Sequence, residues 1–104
     1  MSTPAPVRVI CWGELRGEKN IPRVLRILVD GQHAGLFQAA EGRWFAAYQA
    51  KVMGKPIETE HASADEAVQA ILRSGFARQL GARAASPVYW SDKARRRAGL
   101  AVTA

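Results

Sequence analysis

The chain has 104 residues, of which 48% are hydrophobic and 23% charged, enough for one domain around one core and too few for a two-domain enzyme. Its single cysteine, Cys11, excludes an internal disulfide framework and a Cys-rich zinc site. The formal charge is +6, with a pI near 10.3, which directs attention to acidic partners.

Residues 1–6 hold two prolines and no periodic pattern, and read as a flexible arm. They also lack the charged and apolar regions of a signal peptide. Val7 to Trp12 is a short β-branched run ending at Gly13, which predicts a strand. A polar stretch from Arg16 to Asn20, followed by Pro22, predicts a connecting loop. Val24 to Val29 is a second strand, apolar on both faces apart from Arg26. It runs into Asp30-Gly31, a tight-turn pair that predicts a hairpin returning over His33 to Ala39. Apolar runs such as Ile27-Leu28-Val29 fall far short of the ~20 residues of a membrane span. The expectation is a soluble cytoplasmic protein with no membrane partner.

Glu41-Gly42 predicts the next turn. From Arg43 to Lys51 the pattern alternates: Trp44, Ala46 and Tyr48 point one way, and Arg43, Phe45, Ala47, Gln49 and Lys51 the other. After a turn over Met53 to Pro56, Ile57, Thr59 and His61 share one face of a further strand and Glu58 and Glu60 the other. This parity separates His61 from the carboxylates and argues against metal ligation there. Ser63-Ala64-Asp65-Glu66 fits a capping box, with the Ser63 hydroxyl accepting from the Glu66 amide and the Glu66 carboxylate reaching back to Ser63. Val68, Ile71, Leu72, Phe76 and Leu80 form one apolar helical stripe, and the expected helix runs on to Gly81 despite Gly75. Beyond it, Pro87 to Trp90 is apolar enough to dock on the body, and Ser91 to Ala98 predicts a short capped helix.

The predicted fold class is α+β: an antiparallel meander of four or five strands on one capped helix. The domain spans residues 7–83, and residues 84–104 form a basic C-terminal extension. The charge is asymmetric. Residues 1–66 hold eight basic and eight acidic side chains, whereas residues 67–104 hold seven basic side chains against Asp92 alone. Such an end suits phosphate contacts, since each cation that neutralises a phosphate releases a counterion. It equally suits a solubilising tail on a helix whose last turns favour cations.

Catalytic groups are few. Cys11, His33, His61 and scattered carboxylates share no recognisable spacing, the glycines form no phosphate loop, and Cys11 reads as a small buried hydrophobe. The expectation is a protein without enzymatic activity, cofactor or metal. Trp44 and Tyr48 read as core residues beneath the helix, while Trp12 and Trp90 either cover a second core or anchor a partner.

The segment from Gly35 to Ile71, about a third of the chain, resembles the three-strand-plus-helix DNA-binding domain of plant ethylene-response factors and the arm-binding domains of phage integrases. The resemblance is carried by Gly35-Leu36, by Gly42-Arg43-Trp44-Phe45-Ala46-Ala47-Tyr48, and by Ser63-Ala64-Asp65-Glu66-Ala67-Val68-Gln69-Ala70. It implies a sheet face that enters the major groove through arginines and tryptophans. Here the corresponding outward positions are Phe37, Ala39, Phe45, Ala47 and Gln49, with only Arg43 and Lys51 cationic. Nucleic-acid contacts are therefore expected instead from Arg73, Arg78, Arg83, Lys93, Arg95, Arg96 and Arg97, with Arg43 and Lys51 as secondary contributors, and with DNA as ligand ahead of RNA. The competing expectation is a protein-contact or homodimerising accessory module that uses an apolar sheet face through Phe37, Phe45 and Trp90. Exposure of Phe37 and Phe45 separates the two.

Overall fold

The computed structural model describes residues 3–51 and 53–99. Their order is β1 (Val7–Cys11), β2 (Val24–Val29), β3 (Gln32–Ala40), β4 (Arg43–Gln49), β5 (Pro56–His61), α1 (Ala64–Leu72), α2 (Gly75–Gln79), β6 (Val88–Trp90) and α3 (Asp92–Arg97). The class is α+β, with a six-stranded mixed sheet in the order β5-β4-β3-β2-β1-β6. β1 to β5 form the antiparallel meander, and β6 joins parallel to β1. That sixth strand corrects the expectation of four or five. The segment after residue 83 is not an appendage, because the Val7 amide donates to Pro87 O at 2.9 Å and the Ser91 amide to Val9 O at 3.0 Å. No helix among the described residues is long and apolar enough to cross a membrane.

Two-residue turns set the register. Asp30 and Gly31 have φ of 51° and 79°, and Glu41 and Gly42 have 52° and 78°; paired positive φ values give a turn twist that matches the strands. The β4 alternation follows the sequence pattern, whereas β3 departs from it. β3 carries a bulge: Ile27 faces Gly35 while Leu28 faces His33, so Ala34 is the extra residue. A bulge shifts the period-two alternation by one. It turns Phe37 to the helix-covered face opposite Ala46, with Ala39 opposite Trp44. Phe37 and Ala39 were expected to point outward beside Phe45; Phe37 is instead fully buried and central.

The core lies between this face and the helices. Val7, Val9 and Cys11 from β1, Leu25, Ile27 and Val29 from β2, and Phe37 from β3 pack on Ala67, Val68 and Ile71 of α1, Ala77 of α2 and Ala94 of α3. Trp44 lies 5.8 Å from Phe37 between ring centroids, and Trp90 stands edge-on to it at 6.0 Å. Trp90, half-buried, thus packs against the core, in line with the core-covering one of its two readings.

The Ser63 cap accepts from the Glu66 amide at 3.2 Å, and the Glu66 carboxylate reaches back one residue further than the sequence suggested, to the Ala62 amide at 3.0 Å. The expected continuous helix to Gly81 is broken after Leu72. Ser74 starts α2 afresh, its hydroxyl accepting from the Ala77 amide at 3.2 Å. Gly75 makes this break possible, since a Cβ there would collide with the backbone carbonyl of Ala50.

Candidate nucleic-acid interface

Strand direction gives the sheet two ends. β1 finishes, β2 begins and the β3–β4 turn sits at the upper end, where α3 follows β6. The lower end holds the β2–β3 turn, the entry to β1 and the α1–α2 junction. There the Ala5 amide donates to Gly81 O at 3.1 Å and Gly75 meets Ala50.

At the upper end α3 is held by its apolar side and by its cap. Ala94 is fully buried, so the i, i+3, i+4 set of Lys93, Arg96 and Arg97 faces away from the core and is exposed. Arg95 is half-buried. The Ser91 hydroxyl accepts from the Ala94 amide at 3.1 Å and donates to Glu14 Oε2 at 2.7 Å. Glu14 Oε2 also accepts from the Cys11 amide. Lys93, Arg96 and Arg97 line a concavity of about 610 Å³ with Cys11, Trp12 and Asn20. Cys11 is buried, and burial pushes its thiol above the ordinary range, against a smaller opposing effect from Arg97. That favours an inert thiol over a reactive one.

The far wall of this groove is the loop between β1 and β2, pinned to the outer sheet face, where Ile10, Arg26 and Leu28 are buried. Glu18 accepts from the Gly13 amide at 2.7 Å through Oε1, and pairs with the Arg26 guanidinium through Oε2. The Gly13 amide, assisted by Arg26, holds the Glu18 carboxyl below the usual carboxylate range. Arg26 CZ lies 4.4 Å from the Trp12 ring centroid, a cation–π contact, and His33 meets the ring edge at 5.7 Å. Burial, and then the charge of Arg26, pushes His33 below its ordinary value. Gly13 has φ 104°, and a Cβ there would stand 2.7 Å from Asn20 Cα, so glycine lets the loop close on itself.

The other expected cations are elsewhere. Arg73, Arg78 and Arg83 line a separate concavity beside Gln69, Leu72 and Ala84, toward the lower end. Lys51 is exposed where the chain passes Gly75. Arg43 contacts Glu60 at 3.5 Å on the outer face of the sheet, so its charge is already shared. The seven cations after α1 therefore gather into two groups at opposite ends, not one surface. None of them forms an ion pair among the described residues, where the two salt bridges are Arg26–Glu18 and Arg43–Glu60.

Of the residues expected at an apolar contact face, Phe37 is in the core and Trp90, half-buried, packs against it. Phe45 is half-buried on the outer face of β4 with Leu36 and Ala47 nearby in register. Asn20, Trp12 and Arg23 were missed as site residues. Arg23 shares a second concavity with Arg97 and Trp44, of about 320 Å³. The sequence signal for Trp12 and Asn20 was the polar loop directly after the first strand, whose fold-back depends on Glu14 and Glu18 finding distant partners. Comparison with protein-family models, curated proteins and solved structures gives no match, and the functional reading rests on this geometry.

Proposed function

We propose that this chain is a non-enzymatic nucleic-acid-binding protein, with duplex DNA ahead of RNA as ligand, that grips phosphates through α3. The observation that carries this reading is the upper groove. Lys93, Arg96 and Arg97 share it with Trp12 and Asn20, and its carboxylate, Glu14, is already engaged by Ser91 and the Cys11 amide. Unshared cations on a short capped helix attract a polyphosphate without reading its sequence. Asn20 adds a donor for sugar or phosphate oxygens. Arg95, half-buried, drops out of the expected set, which keeps Lys93, Arg96 and Arg97.

The experiment is a salt series on labelled duplex DNA, single strands and RNA. Changing Lys93, Arg96 and Arg97 together to Gln weakens duplex binding and lowers the slope of log affinity against log salt by up to about 2.7, taking ~0.9 for each lost phosphate contact. An unchanged slope rejects α3 as the binding element. The alternative reading, a protein-contact module, is favoured by one observation: Leu36, Phe45 and Ala47, all half-buried, share the outer face of β3 and β4 beside the edge strand β5. Phe45→Glu then abolishes self-association or partner capture and leaves the salt slope intact, whereas the nucleic-acid reading predicts no change in solution mass.

A further inference from the structure

The cations at the lower end form a second group that the upper groove does not use. Arg73 is the C-cap residue of α1, Arg78 lies in the last turn of α2, and Arg83 follows two residues after Gly81. All three line one concavity of about 370 Å³ that contains no carboxylate. Arg83 is fixed in place: its Nη1 donates to Arg78 O at 2.8 Å and to Ala82 O at 2.7 Å. Those bonds occupy one nitrogen and leave Nε and Nη2 for an anion. A guanidinium held this way loses little side-chain freedom on binding.

The two groups are not parts of one track. The five residues of β1 place the ends of the sheet about 17 Å apart. The exposed stripe of α1 runs through Asp65, Glu66 and Gln69 before it reaches Arg73, so the helix turns from acidic at the upper end to basic at the lower. A polyanion drawn along it from Arg73 meets like charge. On the outer face of the sheet, Glu58 and Glu60 are exposed. Acidic side chains thus interrupt the basic surface on both sides of the sheet.

We propose that Arg73, Arg78 and Arg83 form a second phosphodiester-binding site, so that one molecule holds two nucleic-acid segments, one at each end of its sheet. This rests on the reading of α3 as a phosphate-binding element and adds a bridging role to it. The same phosphate chemistry applies to both sites, so the bridged segments need share no sequence.

The test immobilises one biotinylated DNA duplex on beads, adds the protein, and measures retention of a second, fluorescent duplex of different sequence. Wild-type protein retains the second duplex. R73Q/R78Q, which leaves the Arg83 bonds to the backbone in place, still binds the first duplex in an anisotropy titration and retains the second at least fivefold less. R78Q alone is the second variant; it leaves the Arg73 C-cap intact and also lowers retention. Solution mass is measured alongside, since bridging by one molecule requires no dimer. Three results overturn the proposal: binding of the first duplex by wild type with no retention of the second, undiminished retention by both variants, or retention that appears only at concentrations where the protein dimerises. Absence of any duplex binding overturns the α3 reading first, and this proposal with it.

Discussion

The two ends of the sheet present cations by different means. At the upper end, a loop is folded back and pinned by two carboxylates, so Lys93, Arg96 and Arg97 face an aromatic and an amide across a groove. At the lower end, a helix is broken and restarted, and the guanidinium groups crowd the break with one of them bonded to backbone carbonyls. The first arrangement depends on charge pairing beneath it, the second on backbone fit. Substitutions that remove one support and not the other separate the two.

The largest expected effect is at the upper end. Arg26 and Glu18 are only 10% and 20% exposed in their side chains, and Arg26 Nε has no hydrogen-bond partner. Glu18→Gln leaves the largely buried Arg26 guanidinium without its partner and lowers stability, measured by urea unfolding. Replacing both residues by apolar ones of similar size, as in E18M/R26M, recovers most of that loss, because a buried pair gains little over good apolar packing. If E18Q is neutral, the loop is not held by this pair.

Next is Gly75 at the lower end. Helix propensity alone predicts that Gly→Ala stabilises by up to about 1 kcal/mol. The Ala50 carbonyl reverses the sign, and Gly75→Ala is expected to destabilise by about 2 kcal/mol through overpacking. A stabilised variant would mean that α2 moves away from β4 without penalty.

The smallest effect is a pH dependence at the cluster of Trp12, Arg26 and His33 on the outer sheet face. His33 is held below its ordinary value, so the folded state binds fewer protons than the unfolded one. Its contribution is complete above the unfolded value of 6.5 and is lost as pH falls from there through the lower folded value. Glu18, also depressed, contributes above 4.5 and loses that contribution at still lower pH. Stability therefore declines in two steps on acidification. His33→Gln removes the first step and leaves the second, as read from unfolding midpoints between about pH 8 and pH 2.

Local patterns made much of this fold readable. Asp30-Gly31, Glu41-Gly42, the β4 alternation, the Ser63 cap and the short helix after Ser91 each arise from chemistry within a few residues. What escaped depends on distant pairing. Phe37 was misplaced because one bulged residue, Ala34, reverses the alternation in β3; Gly35, a glycine inside a strand of the kind that marks a bulge, was not read as that signal. The helix break at Ser74 depends on a carbonyl from residue 50. β6 is three residues long and takes its place through parallel pairing with a strand about eighty positions earlier. The site was legible as composition, in the excess of cations after residue 66, and not as geometry. Its division into two groups follows from the tertiary path, and Trp12 and Asn20 join it only because Glu14 and Glu18 fold their loop toward α3.

The central claim is that phosphates are gripped where α3 faces the loop after β1. The most direct measurement is amide and indole chemical-shift mapping of the labelled protein as an unlabelled duplex is added at low salt. The account predicts the largest shifts at Asn20, the Trp12 indole N–H and residues 93–97, with a weaker second set at Arg73, Arg78 and Arg83. Shifts confined to Leu36, Phe45, Ala47 and β5, or none at all, would contradict it.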